Sequence, residues 1–270
     1  MDLPKFLKSN NDDTAVLFIH GLSGNYLTWK RFSIRLSEDW KEEDSFNLEY
    51  DEYYSLSFQI PILSFFIKCY VGKSIGDVAS HLNSILISVG KKYQNVILVC
   101  HSMGGLVARK LIVDKLKAEK SLGNIKALIT YATPHHGARL ANWVSLFFHK
   151  PLALIRIKKF LQLNDLSRSS AFIMDLNADW SRLNVNDKID FLRIVGLADG
   201  IVSVDSAEHE AGTNVFSFAN KGHFSIIKPH RSITDGALMV TYNYLKDFKK
   251  NQESKELLEM GYEEESEYDY

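Results

Sequence analysis

The 270 residues carry 32 lysines and arginines against 33 aspartates and glutamates, with 46% hydrophobic and 24% charged positions. That is the composition of a soluble globular chain long enough to bury a sizeable core. A net charge of −1 leaves no global field to gather a polyanion, so nucleic acid is excluded as an expected partner.

In chain order, the stretch Met1 to Thr14 is short and polar and lacks the apolar core of a signal peptide, which predicts a cytoplasmic start. Ala15 to Ile19 is the first continuous apolar run. It is followed by Phe58 to Val71, which is broken by Pro61 and Lys68 and falls short of the ~20 apolar residues a bilayer span needs; it reads as a packed or interfacial segment. Ile75, Val78, Ala79, Leu82, Ile85, Leu86 and Val89 keep helical spacing, with Ser74 and Asp77 as a capping pair and Gly90 as a stop. Apolar runs at Val96 to Cys100, Ala127 to Tyr131, Ile189 to Val195 and Val215 to Phe218 are continuous rather than alternating, the habit of parallel strands buried on both faces. Leu106, Val107, Leu111 and Leu116 predict a helix after the second run, and Leu238, Tyr242, Leu245 and Phe248 predict one near the C-terminus.

Strand alternating with helix gives a mostly parallel, doubly wound α/β sheet. The expected domain is 1–250, with a helical cap insertion at about 138–187, where Trp143, Phe147, Phe148, Ile155, Phe160 and Leu161 mix with Lys150, Arg156, Lys158 and Lys159. Residues 251–270 are crowded with acids and predict a disordered tail. Of the two cysteines, Cys69 and Cys100, the second lies in the motif described next, where a disulfide would interfere; a reducing compartment is the simpler reading.

The strongest chemical signal is Val96 to Gly105, VILVCHSMGG: an apolar strand, a serine among small residues, then a helix. This is the pattern of a nucleophile elbow, whose strained turn wants small residues two before and two after the serine. Gly104 meets the second requirement and Cys100 stands at the first. A serine in Ser-x-Gly also serves as an ordinary helix cap, so the nucleophile reading of Ser102 depends on partners. A hydroxyl needs a base and a prepared oxyanion site. Leu17 to Gly24, LFIHGLSG, lets a backbone N–H face the elbow, which assigns the oxyanion hole to the N–H groups of Met103 and Leu22, with His20, Gly21, His101 and Gly104 in support. His20 precedes the nucleophile, against the Ser, Asp, His order of this architecture.

Asp199 follows the strand at Phe191 and lies at its C-terminal end, on the side where the elbow opens. Its rivals fit the order less well: Asp205 comes after the Gly-Ile-Val turn and Asp235 after every candidate histidine. His223 occupies the loop after the last strand, where the general base belongs. The pair His135–His136 precedes Asp199, His209 precedes the last strand, and His230 reads as a surface residue.

With these residues in place, the chain resembles α/β-hydrolase lipases and serine esterases, most closely the branch that looks like the glycosylphosphatidylinositol inositol-deacylase and the serine-active-site-containing protein. The resemblance is carried by Phe18 to Leu22 (FIHGL), Cys100 to Arg109 (CHSMGGLVAR), Ala132 to Gly137 (ATPHHG), Asp199 to Val202 (DGIV) and His223 to Pro229 (HFSIIKP). It implies an α/β-hydrolase fold and a carboxylic ester hydrolase of the lipase, esterase or phospholipase type, acting on lipid or acylated substrates through a Ser-His-Asp triad and an acyl-enzyme. Neither metal nor organic cofactor is expected. Acyl transfer on the same triad and a non-catalytic scaffold are the competing readings. Apolar area and basic charge coincide in the cap, which leaves two readings of it: peripheral membrane contact, or a cap packed on the core with its lysines solvated.

Overall fold

The computed structural model describes residues 7–9, 14–21, 28–43, 48–50, 74–91, 93–138, 165, 170–208, 214–229 and 236–259. Five strands are parallel: β2 (Thr14–Ile19), β4 (Asn95–His101), β5 (Ile125–Tyr131), β6 (Asp190–Gly196) and β7 (Val215–Phe218). Two three-residue strands, β1 (Leu7–Ser9) and β3 (Leu48–Tyr50), add an antiparallel edge, giving the order β3-β1-β2-β4-β5-β6-β7. Every apolar run expected to be a strand is one.

Parallel neighbours need a crossover on one face or the other, and the strand residues show where the helices go. Along β2, Ala15, Leu17 and Ile19 pack to one side while Val16 and Phe18 pack to the other. Along β4, Val96, Leu98 and Cys100 join the first set and Ile97 and Val99 the second. The first face is covered by α2 (Ile75–Gly90), α3 (Met103–Glu119) and α4 (Ala171–Arg182). The second is covered by α1 (Lys30–Glu43) and α6 (Gly236–Glu259). Both faces of β2 and β4 being buried is why they read as unbroken apolar runs; β7, expected to be buried likewise, is half-buried or exposed at all four residues because it is the last strand of the described sheet.

The N-terminus of α2 is capped as its sequence predicts: the N–H of Ser74 donates to Asp77 Oδ2 at 2.8 Å and that of Asp77 to Ser74 Oγ at 3.1 Å. On the second face, Trp29 is fully buried among Phe18, Phe32 and Tyr131, with ring centroids 5.2 to 5.7 Å apart. Tyr131 reaches α6, donating its hydroxyl to the Ala237 carbonyl at 2.8 Å.

Two boundaries differ from the sequence reading. Residues 171–187, expected within the cap, belong to the body: α4 buries Ile173, Leu176 and Trp180 in the first-face core and forms part of the β5 to β6 crossover that a parallel pair requires. Of the earlier part of the insertion, Ala138, Asp165 and Ser170 are described, whereas Phe147 and Phe148 lie outside the described residues; the Asp165 carboxylate accepts the N–H of Ile75 at the start of α2 at 3.0 Å. Residues 251–259, expected in the disordered tail, continue α6, because Gln, Glu, Lys and Leu there are strong helix formers; residues 260–270 lie outside the described residues. The segment Phe58 to Val71 does too. Among the described residues no helix is long and apolar enough to cross a membrane.

Candidate active site

Four of the parallel strands deliver their C-terminal ends to one place. β4 ends at His101, and α3 begins at Met103, so Ser102 must reverse the chain in a single residue. It does so at φ 56° and ψ −128°, a left-handed conformation that costs a non-glycine residue about 1–3 kcal/mol. Although it occupies the cap position of α3, its side chain makes no capping hydrogen bond. A serine kept for helix capping would make one.

The turn closes only because its neighbours lack side chains. A Cβ on Gly104 would stand 2.6 Å from the His20 carbonyl oxygen and 2.7 Å from that of Ile19. One on Gly21 would stand 2.6 Å from Ser102 Cβ. The loop after β2 therefore lies directly against the elbow. Cys100, at the other small-residue position, is a free thiol packed in the first-face core, where burial pushes its pKa up.

Asp199 follows β6, and His223 follows β7. His223 Nε2 lies 3.0 Å from Ser102 Oγ, and His223 Nδ1 lies 2.8 Å from Asp199 Oδ2. A carboxylate only accepts, so Nδ1 carries the proton and Nε2 presents its lone pair to the serine hydroxyl. The other carboxylate oxygen, Oδ1, accepts the N–H groups of Ile201 at 2.8 Å and Val202 at 2.9 Å. The Asp199 side chain is only 2% exposed and that of His223 3%, so these bonds replace the water that a buried charge gives up.

The supporting residues surround this chain. His101 donates Nε2–H to the His223 carbonyl at 2.7 Å. His20 directs Nδ1 at the Gly21 carbonyl, 2.8 Å away, and burial lowers its pKa to about 4; its ring is neutral and bonded within the loop rather than to the serine. Met103 opens α3, where the first backbone N–H groups have no partner within the helix. Leu22, the other expected oxyanion donor, lies outside the described residues, one position beyond Gly21.

Asp205 sits exposed on the five-residue helix α5 (Val204–Glu208). Asp235, His209 and His230 lie outside the described residues. His135 is buried but serves another network, which the sequence reading missed. Arg109 of α3, fully buried, donates to His135 Nδ1 at 3.3 Å and to Asn177 Oδ1 at 3.0 Å, and its guanidinium lies 4.6 Å over the Trp180 ring. Asn177 returns a bond to the His135 carbonyl at 3.1 Å. The Thr-Pro-His-His-Gly turn after β5 is thereby clamped between α3 and α4. An arginine inside the apolar run LVARKLIV was the available signal.

Comparison with known proteins identifies the family of the domain. A profile described as "PGAP1-like alpha/beta domain" matches residues 10–204. The chain belongs to the PGAP1-like alpha/beta domain family. The matched region of this PGAP1-like domain contains Ser102 and Asp199 and ends before His223. Protein SERAC1 of Homo sapiens is 25% identical over 258 residues, covering 84% of this chain and 38% of that protein. GPI inositol-deacylase of Candida albicans is 28% identical over 129 residues, covering 46% of this chain and 32% of that protein. The chain thus spans well under half the length of these curated relatives. Among solved structures, the propeptide form of the lipase BlEst2 from Bacillus licheniformis superposes with a TM-score of 0.61 at 18% identity, covering 88% of this chain and 52% of that one. The PGAP1-like domain therefore has the α/β-hydrolase fold.

Proposed function

We propose that this domain hydrolyses carboxylic esters of lipid or acylated substrates, with Ser102 as nucleophile, His223 as general base and Asp199 as its orienting acid. The observation that carries the reading is the hydrogen-bonded chain from Asp199 through His223 to a serine hydroxyl that is not spent on helix capping.

In that mechanism Ser102 Oγ attacks the ester carbonyl carbon as its proton passes across 3.0 Å to His223 Nε2. The imidazolium so formed is stabilised by Asp199, which stays ionised. The carbonyl oxygen becomes an oxyanion facing the N–H of Met103, with Leu22 as the proposed second donor. Collapse expels the alcohol, which takes the proton from Nε2, and leaves an acyl-serine. Water then attacks the acyl carbon, gives a proton to Nε2 and releases the acid, and the proton returns to Ser102. Acyl transfer differs only in the second acceptor. A non-catalytic scaffold would have no use for a strained serine facing an oriented histidine.

Exposed apolar side chains close to the triad in sequence support a lipid-like substrate: Phe224, 42% exposed, stands edge-on to the His223 ring at 5.0 Å, and Leu197, two residues before Asp199, is 47% exposed. The names of the relatives, GPI inositol-deacylase above all, point the same way. We assign the acyl groove or lid, and peripheral membrane contact, to the insertion before α4. Each buried methylene contributes about 0.8 kcal/mol, so kcat/KM across p-nitrophenyl esters should rise several-fold per methylene until the groove is full. Phe147→Ser combined with Phe148→Ser should flatten that dependence and leave acetyl ester turnover nearly unchanged. The panel is run from acetyl to palmitoyl, with and without anionic vesicles; a profile that peaks at acetyl and ignores vesicles contradicts the lipid reading.

A further inference from the structure

His101 is not a member of the Asp199, His223 and Ser102 chain on which the proposed reaction runs. It is the last residue of β4, opposite Tyr131 in the parallel register, one residue before Ser102. The ring is almost wholly buried, with Trp29 edge-on at 6.3 Å, Phe224 at 6.1 Å and the His223 ring at 4.9 Å. Its Nε2 is 2.7 Å from the main-chain oxygen of His223, 122 residues further along the chain. We propose that His101 is a positioning residue that holds the peptide of His223 against the end of β4, so that the strand carrying the nucleophile also sets the placement of the base.

Other backbone bonds near His223 are local or reach β6. Lys221 donates to the Phe218 carbonyl, Ile226 to that of Gly222, and Ala198 to that of Lys221. These shape the loop and tie it to β6. β7, from which the loop departs, is four residues long and the last strand of the described sheet. The bond from His101 is direct: one side chain joins the peptide of the base to the residue adjoining the nucleophile. It also survives proton transfer. Burial, with repulsion from His223, His20 and Lys228, keeps the pKa of the His101 ring well below the usual histidine range. A neutral ring beside His223 adds no positive charge when the base becomes an imidazolium.

The proposal rests on the hydrolase reading, and its test separates the two. Glutamine at position 101 can place an amide N–H where Nε2 stands, leucine fills similar space without a donor, and asparagine carries a donor too short to reach. His101→Leu and His101→Asn should lower kcat for a short p-nitrophenyl ester by about 10- to 100-fold with KM nearly unchanged, the penalty of a misplacement of roughly 1 Å. His101→Gln should recover most of the loss. Independently of activity, the low-field proton resonance of the His223 Nδ1–H that is bonded to Asp199, followed by NMR on histidine-labelled protein, should move upfield in the leucine and asparagine variants as that bond loosens, and return in the glutamine variant. If the native protein hydrolyses no ester, the hydrolase reading fails and the resonance still decides the positioning role. Wild-type kcat and an unmoved resonance in the leucine and asparagine variants would overturn the proposal, as would equal losses in all three. Should the leucine variant fail to fold, the contrast between asparagine and glutamine decides the question by the same two readouts.

Discussion

Replacing Ser102 with alanine should reduce ester hydrolysis by several orders of magnitude, on the order of the 10⁶ that a serine protease loses with its nucleophile. The size follows from what remains. The oxyanion donors and the binding surface still favour the transition state, but water must attack in place of an oriented alkoxide, and His223 has no hydroxyl to deprotonate. The fold should persist, because the substitution removes one buried oxygen, and alanine adopts the turn with the same Cβ. Melting temperature and rate are measured on the same preparation. A variant that melts like the native protein and hydrolyses at a tenth of its rate would move the nucleophile elsewhere.

Asp199→Asn should cost about 10² to 10⁴ in rate, and Asp205→Asn far less. Geometry gives the reason. The Oδ1 position is held by the N–H groups of Ile201 and Val202, so an asparagine must keep its oxygen there and turn its NH₂ toward His223. That NH₂ can only donate, which forces the Nδ1 lone pair inward and puts the ring proton on Nε2, facing Ser102. The histidine is then the wrong tautomer to accept the serine proton. Asp205, exposed on α5, touches neither partner. Steady-state rates of the two variants check the ranking; the reverse order would assign the acid role to Asp205.

The parallel sheet and the residues at its C-terminal ends are legible in the sequence because they obey short-range rules. Burial on both faces forces unbroken apolar runs, and a one-residue reversal between strand and helix forces small neighbours around Ser102. α1 leaves no such signature: Trp29 just before it, Phe32 and Leu36 reach the core, interspersed with the polar Lys30, Arg31, Ser33 and Arg35. The three-residue strands β1 and β3 are too short for any periodicity to register. Residues 171–187 read as part of the cap because both stretches are apolar, and only packing on α3 distinguishes a body helix from a covering one. The roles of Arg109 and His101 need three dimensions: each acts on a residue distant in sequence, and composition cannot say where a side chain's hydrogen bond goes.

The reading of Ser102 as an activated nucleophile is tested most directly by treating the native chain with a fluorophosphonate and mapping the modified peptide. One adduct per chain is expected, on the peptide containing Ser102, formed by the folded protein and not by the heat-unfolded one. A folded chain that takes up no reagent, or takes it up on a different residue, would contradict the assignment.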